Sequence, residues 1–315
     1  MIFDFLQKKG ASVELAELIT ELAAAVEQIS DVIVKTSTGK AGTQNVFGED
    51  QLALDVRAEN IIQEHLQSCP FVAAFCSEEL NEMMDGPAAA GSDAGSDAGS
   101  RFGVYYDPLD GSSLVNVNMA VGTIVGIYEG AEYLGRTARE QIASLFAVYG
   151  PRTTMMVTVG SGVHEFILLE DGWEILEESV RMDGEKKFFA PGNLRATKER
   201  DDYFELVTQM MREQYTLRYS GGMVPDINHI LKKGSGVFMY PGMPGAENGK
   251  LRLLYECGPM AMLMEQAGGA ASAGGGGADA QAILDVEIKE LVQRTPIFIG
   301  TKGDVARCEE LKVLH

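Results

Sequence analysis

Val104-Tyr105-Tyr106-Asp107-Pro108-Leu109-Asp110-Gly111-Ser112-Ser113 is the stretch on which the reading of the chain turns. It opens as a β-rich run and breaks at Asp107-Pro108. Proline fixes its own φ and pushes the residue before it toward extended geometry. The pattern predicts a strand that ends there, with the Asp107 and Asp110 carboxylates projecting from its C-terminal end. Gly111 allows a tight turn and close approach to a ligand, and Ser112 and Ser113 add N–H groups and hydroxyls. Two carboxylates beside such a turn suit a Mg²⁺ ion and a phosphate held together, because Mg²⁺ takes one or two carboxylates plus phosphate oxygens. Taken alone, D-P-x-D-G also fits an ordinary Asx/Pro turn between strands.

The chain has 315 residues, room for one large domain or two. With 45% hydrophobic and 23% charged residues, a well-filled core is expected. The net charge of −20 argues against nucleic acid as a partner, since phosphate backbones need basic footprints. It also repels phosphorylated substrates at long range, so a phosphate site needs local Lys, Arg or metal. Cys69, Cys76, Cys257 and Cys308 form no CxxC, and the four histidines form no zinc pattern. No apolar run reaches bilayer length, and Met1-Ile2-Phe3-Asp4-Phe5 lacks the parts of a signal peptide. The chain reads as cytoplasmic with no membrane partner; a plastid form without its transit peptide stays open.

Outward from the central stretch, apolar residues at helical spacing predict helices over 11–35 and 50–67, with Asp50 as N-cap. A Thr/Gly-rich loop is expected from Ser37 to Phe47. Strands are expected at Phe71–Cys76, Gly122–Tyr128, Thr153–Val159 and Glu165–Leu169, with Asp171-Gly172 as a hairpin turn and Gln141–Tyr149 as a helix. Pro87 to Ser100 is Gly-Ser-Asp-Ala low complexity and reads as a mobile insert, near 86–100, with no assigned function. The pattern restarts after Arg181. Helices are expected at Tyr203–Tyr215, Asp226–Lys233, Pro259–Ala267, Glu287–Gln293 and Asp304–Leu311, and strands at Gly236–Tyr240, Leu251–Tyr255 and Ile297–Gly300, with a loop at Ala270–Ala280. Alternating strands and helices suggest an α/β (mixed α+β) layered fold, divided into units 1–182 and 183–315.

Several carboxylates stand where a strand becomes a turn: Glu78 and Glu79, Asp107 and Asp110, and Glu256, with Asp55 on the preceding helix. Strands close in sequence are often neighbours in space. Converged, these oxygens would suit Mg²⁺ or Mn²⁺ better than zinc. Arg218-Tyr219, Tyr240, Lys250 and Arg252 form a cationic and phenolic set suited to a second anionic group. The alternative for that set is exposed strands and an oligomer interface.

FCSEE at Phe75–Glu79, DPLDGSS, VGTIVGIY and LRLLYECGPM together resemble the fructose-1,6-bisphosphatase (class 1) family, within the metal-dependent sugar phosphatases that include inositol monophosphatase. YGPRTT at Tyr149–Thr154, HEFILLEDG at His164–Gly172, APGNLRAT at Ala190–Thr197 and YTLRYSGGMVPDIN at Tyr215–Asn228 resemble its sedoheptulose-1,7-bisphosphatase branch. The resemblance implies an αβαβα layered sandwich and a Mg²⁺-dependent phosphomonoesterase. It implies Glu78, Glu79, Asp107, Asp110, Glu256 and the Leu109 carbonyl as metal ligands. Asp55 and Glu79 would activate the attacking water, with Asp110 also catalytic. Asp110, Gly111, Ser112 and Ser113 would surround the phosphate being removed. Met223 and Lys250 would lie along the sugar, and Asn193, Tyr219, Tyr240 and Lys250 around the distal phosphate. Arg218 would reach that phosphate from a neighbouring copy, which implies a homodimer or homotetramer.

The implied reaction is hydrolysis of the 1-phosphate of sedoheptulose 1,7-bisphosphate, with fructose 1,6-bisphosphate, or use of both, as the alternative. A catalytically silent metabolite sensor is the alternative of another class, and the full set of matched carboxylates argues against it. Three departures from related patterns stand out. Ala196 stands where fructose enzymes carry a Tyr in the distal pocket. Ser12-Val13-Glu14, Arg101-Phe102 and Glu129 stand where the animal enzymes bind AMP, and Glu129 replaces an Arg. Thr38 and Thr43 stand where the chloroplast enzyme has a regulatory cysteine pair. Glu129 opposes a nucleotide phosphate, and threonines form no disulfide. Neither AMP nor dithiothreitol is therefore expected to change the rate of phosphate release. Micromolar inhibition by AMP in a steady-state assay would contradict this reading.

Overall fold

The computed structural model describes residues 1–35, 40–44, 50–80, 82–89, 101–276 and 280–311. Three helices open the chain: α1 (Ile2–Lys8), α2 (Val13–Lys35) and α3 (Ala53–Ser68). Between α2 and α3 lies an antiparallel pair, β1 (Lys40–Gln44) with β2 (Asp50–Leu52). Leu15, Leu18, Ile19, Leu22, Val26 and Ile29 recur on one face of α2 and are all buried, as their spacing predicts.

The first sheet has eight strands: β3 (Val72–Ser77), β4 (Met84–Asp85), β5 (Phe102–Asp110), β6 (Val121–Glu129), β7 (Gln141–Tyr149), β8 (Thr153–Thr158), β9 (Val163–Leu169) and β10 (Gly172–Val180). Their spatial order is β10-β9-β8-β7-β6-β5-β3-β4, with β3 and β5 parallel and the other neighbours antiparallel. The edge strand β10 shifts register twice and turns Glu174, Glu177 and Glu178 to solvent. The second sheet has five strands, β11 (Phe188–Pro191), β12 (Thr216–Leu217), β13 (Val237–Tyr240), β14 (Ala270–Ser272) and β15 (Ile297–Gly300), in the order β12-β11-β13-β15-β14. With it come α4 (Asp201–Arg212), α5 (Met223–Lys233), α6 (Gly258–Gln266) and α7 (Lys302–Glu309).

Period-two alternation sorts the side chains into layers. Val104 and Tyr106 of β5 pack with α2 and α3, whereas Tyr105 points the other way, into a core shared with α5, α6 and the inner face of the second sheet. The outer face of the second sheet packs Phe189, Val237, Met239 and Phe298 against Tyr203 and Leu206 of α4 and Val305 of α7. The result is the expected αβαβα sandwich. Among the described residues no helix is long and apolar enough to cross a membrane, and all four cysteines are buried and free.

Several elements differ from their sequence-based expectation. Gln141–Tyr149 is strand β7, not a helix. It is buried on both faces apart from Ile142, so it shows no alternation, and a continuous apolar run does not distinguish the two states. Leu251–Tyr255 is not a strand; a π-helical turn, Leu253–Cys257, stands there and leads into α6. Glu287–Gln293 forms no helix: the Gln293 side chain accepts from Lys289 N at 2.6 Å and closes a turn instead. Ala270–Ser272 is an edge strand within the expected loop, as Lys40–Gln44 is within Ser37–Phe47. α3 begins at Ala53, so Asp50 belongs to β2 and does not cap the helix. β5 runs on through Pro108 to Asp110. Its partner β3 ends at Ser77, opposite Tyr106, so no parallel neighbour needs the N–H that proline lacks. Residues 90–100 of the low-complexity insert, and Thr38, lie outside the described residues.

The two halves of the sandwich meet closely at Gly122 of β6. A Cβ there would stand 2.3 Å from Val224 Cγ1 of α5 and 2.4 Å from the Ala147 carbonyl oxygen. Overpacking of this kind costs about 1–3 kcal/mol. Gly122→Ala is expected to lower the urea or thermal midpoint by that amount and to push Val224 away from its partner at the end of β5. A variant as stable as the parent would show that α5 is free to move.

Candidate active site

Because β3 and β5 are parallel, their C-terminal ends lie side by side. Glu78 N donates to Tyr106 O at 3.1 Å, which carries the Glu78-Glu79 pair alongside Asp107. Asp107 Oδ1 accepts Leu109 N at 2.9 Å. The Pro108 carbonyl accepts from Thr123 Oγ1 at 2.8 Å, and that hydroxyl lies 2.8 Å from Tyr149 Oη, so β6 and β7 brace the turn from behind. Gly111 takes φ 75°, a left-handed conformation that glycine adopts without steric cost, and starts the 3₁₀ turn Ser112–Val117.

Asp110 Oδ2 accepts Val224 N at 2.7 Å. The first N–H groups of a helix lack intrahelical partners, and negative charge is favourable there. Gly222, the N-cap of α5, has no side chain to serve them. Asp110, from the other half of the sandwich, supplies the oxygen.

Glu256 enters on the π-helical turn, where its Oε2 accepts Arg252 N at 2.6 Å. The Arg252 guanidinium, with only 2% of the residue exposed, forms an ion pair with Glu78. One carboxylate oxygen each from Glu78, Asp107 and Glu256 lies within 4.8 Å of the others. Burial is the largest influence on Asp107 and Glu256 and, with the Glu78 charge next, pushes both carboxyls well above their usual range. Burial pushes Asp110 up to about 6, against the lowering effect of the Val224 and Met223 N–H groups. Asp55, in the first turn of α3, is also buried.

These groups open on a cleft of about 310 Å³. Asp55, Glu78, Glu79, Asp107, Leu109, Asp110, Glu256, Gly111, Ser112, Ser113, Met223, Tyr219, Tyr240 and Lys250 all line it. Two residues picked from the sequence do not. Asn193 donates through Nδ2 to Pro241 O at 2.9 Å beside the second sheet. Arg218 is exposed and lines a separate groove with Lys186, Lys187 and Lys233. Arg252 was grouped with the distal cations, yet it is buried against the carboxylates; its place four residues ahead of Glu256 was the available signal. Phe238 and Gly221 also line the cleft and carried no signal.

The donor set is all oxygen, crowded and buried, which fits a divalent cation such as Mg²⁺. The like-charged carboxyls whose pKa burial raises are the groups such a cation would stabilise.

Residues 2–178 match the family model "Fructose-1-6-bisphosphatase, N-terminal domain" and residues 182–313 match "Fructose-1-6-bisphosphatase, C-terminal domain". The chain is 44% identical over 308 residues to a class 1 fructose-1,6-bisphosphatase of Geobacter metallireducens, covering 97% of this chain and 93% of that one. It is 40% identical over 312 residues to the chloroplastic sedoheptulose-1,7-bisphosphatase of Spinacia oleracea, covering 98% and 76%. Among solved structures it superposes on a Toxoplasma gondii protein provisionally named a sedoheptulose-1,7 bisphosphatase (TM-score 0.87, 32% identity, 98% and 97% covered). It also superposes on the holo form of Leishmania major fructose-1,6-bisphosphatase (TM-score 0.85, 28% identity, 98% and 97% covered).

Protons and a divalent cation compete for the same carboxyls. A carboxyl whose folded pKa is raised makes the metal-free fold lose stability as pH rises through that value. A cation that binds the ionised form reverses the loss. The rise in thermal midpoint produced by Mg²⁺ is therefore expected to grow from pH 5.5 to pH 7.5, because burial pushes Asp110 up to about 6 and holds Asp107 and Glu256 well above their usual range. Scanning calorimetry with and without Mg²⁺ at both pH values tests this; a pH-independent increment would contradict it.

Proposed function

Because the chain belongs to the fructose-1,6-bisphosphatase family, whose members are phosphoric monoester hydrolases, we propose that it hydrolyses the 1-phosphate of fructose 1,6-bisphosphate. Sedoheptulose 1,7-bisphosphate is the second reading. The sequence segments put that substrate first, and the Spinacia oleracea relative carries its name. The similar bacterial relatives carry the fructose name at higher identity, which reverses the order. Ala196, buried beside the Asn193 turn, is the position that supports keeping the larger sugar.

The observation that carries the proposal is the carboxylate cluster lining the cleft, with Lys250, Tyr219 and Tyr240 also on its wall. Glu78, Glu79, Asp107, Asp110, Glu256 and the Leu109 carbonyl would hold the divalent cation, which supplies Lewis-acid polarisation of the phosphoryl group. Asp55 and Glu79 orient the attacking water and take its proton. Gly111, Ser112 and Ser113 offer N–H groups and hydroxyls to the phosphate being removed. Water oxygen bonds to phosphorus as the bond to the C1 oxygen breaks, and that oxygen leaves with the electron pair and gains a proton. Met223 and Lys250 lie along the sugar. Tyr219, Tyr240 and Lys250 face the distal phosphate, whereas Asn193, turned to the Pro241 carbonyl, does not. Arg218, exposed and outside its own cleft, serves the cleft of a neighbouring copy in a homodimer or homotetramer.

Phosphate release from a panel of sugar bisphosphates, with and without Mg²⁺, tests the proposal. The higher kcat/KM is expected for fructose 1,6-bisphosphate, and no Mg²⁺-dependent release from any of them would refute it. Asp110→Asn keeps the shape of the side chain but removes a charge needed by the cation. It is expected to lower kcat by about three orders of magnitude with a smaller effect on substrate binding, as for the loss of other single electrostatic contacts. Lys250→Ala is expected to raise KM more than it lowers kcat. Steady-state kinetics at saturating Mg²⁺ separates the two patterns.

A further inference from the structure

One turn after Asp55 on α3, on the same face, stands a second acidic residue that the cleft does not use. Glu59 is 6% exposed. Its Oε1 accepts two hydrogen bonds, from Tyr106 Oη at 2.8 Å and Gln63 Nε2 at 2.6 Å. Its Oε2 is buried and has no hydrogen-bond partner among the described residues. Tyr106 is fully buried and immediately precedes Asp107. Ser77, also fully buried, immediately precedes Glu78; its hydroxyl accepts Glu79 N at 3.1 Å and lies beside the Glu59 carboxyl.

A carboxyl placed in this way touches the inner side of three elements, each of which carries cleft carboxylates within one turn of the chain on either side. α3 carries Asp55, β3 leads to Glu78 and Glu79, and β5 leads to Asp107. We propose that Glu59 is a positioning residue that fixes α3, β3 and β5 against one another, so that their carboxylates converge on a divalent cation. The inference rests on the reading of those carboxylates as metal-binding. A Leu of similar size would fill the space, so packing alone does not call for an acid here. Burial raises the Glu59 pKa, which disfavours a further negative charge behind the cluster and suits a hydrogen-bonding rather than an electrostatic role.

Outer groups that orient metal ligands typically change metal affinity by about 10–100-fold when lost. Isothermal titration of the whole chain with Mn²⁺, without substrate, measures this directly. Glu59→Gln keeps an oxygen for the Tyr106 hydroxyl and is expected to bind Mn²⁺ within about threefold of wild type. Glu59→Leu is expected to bind at least about tenfold more weakly, and in turnover to lower kcat while KM for the bisphosphate changes less than about twofold. Tyr106→Phe removes one link without altering α3 and is expected to weaken Mn²⁺ binding several-fold. A folded Glu59→Leu that binds Mn²⁺ like wild type overturns the inference. If that variant does not fold, wild-type binding by Tyr106→Phe overturns it. A wild-type chain that binds no Mn²⁺ overturns the metal reading and this inference together, so the two failures are distinct.

Discussion

Like charges crowded away from water constrain this molecule more than any other feature. Glu78, half-buried, and Asp107 and Glu256, buried, bring oxygens within 4.8 Å of one another in the lining of a cleft. No apolar packing relieves that repulsion; it takes protons, a cation, or donors held in place. The chain supplies several such donors: the Leu109 N–H to Asp107, the Arg252 N–H to Glu256, the Val224 N–H to Asp110, and the Arg252 guanidinium to Glu78. The three N–H donors come from backbone that the fold has already fixed, and the guanidinium from a side chain packed in the interior, so the cost of ordering them is met by the core and not by the site.

The layered arrangement follows from that demand. Parallel pairing of β3 and β5 aligns two strand ends, which antiparallel neighbours would have sent in opposite directions. Antiparallel β6 and β7 then stand behind the turn with Thr123 and Tyr149. α5 lies between the two sheets and offers its N-terminus to Asp110, so the carboxylates of one half of the sandwich are held by the helix of the other. Gly122 is small because this meeting is close.

Much of this is legible in the sequence. The periodicity of α2, the strand Ile297–Gly300 and the carboxylates at strand ends are local patterns, and they stand where the residues put them. What the pattern misses is decided by neighbours far along the chain. Gln141–Tyr149 is apolar on both faces because both faces of the sheet are covered, and nothing within nine residues distinguishes that from a buried helix. On α3, where the apolar spacing leads one to expect a core face without acids, Asp55 and Glu59 share the buried face with Leu54, Ala58, Ile62 and Leu66. An acid looks like a solvent residue until its partners, here Tyr106 and Gln63, are known. Arg252 was read as a distal cation for the same reason: its pairing with Glu78 spans most of the chain.

The edge strand β10 has a consequence for how copies of this chain meet. An open sheet presents a row of unpaired backbone groups on which a second sheet can grow. In β10 two shifts of register interrupt that row, and the exposed charged side chains of Glu174, Glu177 and Glu178 flank it, Glu177 paired with Lys232 and Glu178 with Lys9. At the other end of the same sheet, β4 is only two residues long. Both ends therefore resist strand-by-strand polymerisation, which leaves faces and loops for self-association. A second copy of the chain therefore finds no sheet end ready to seed a fibre.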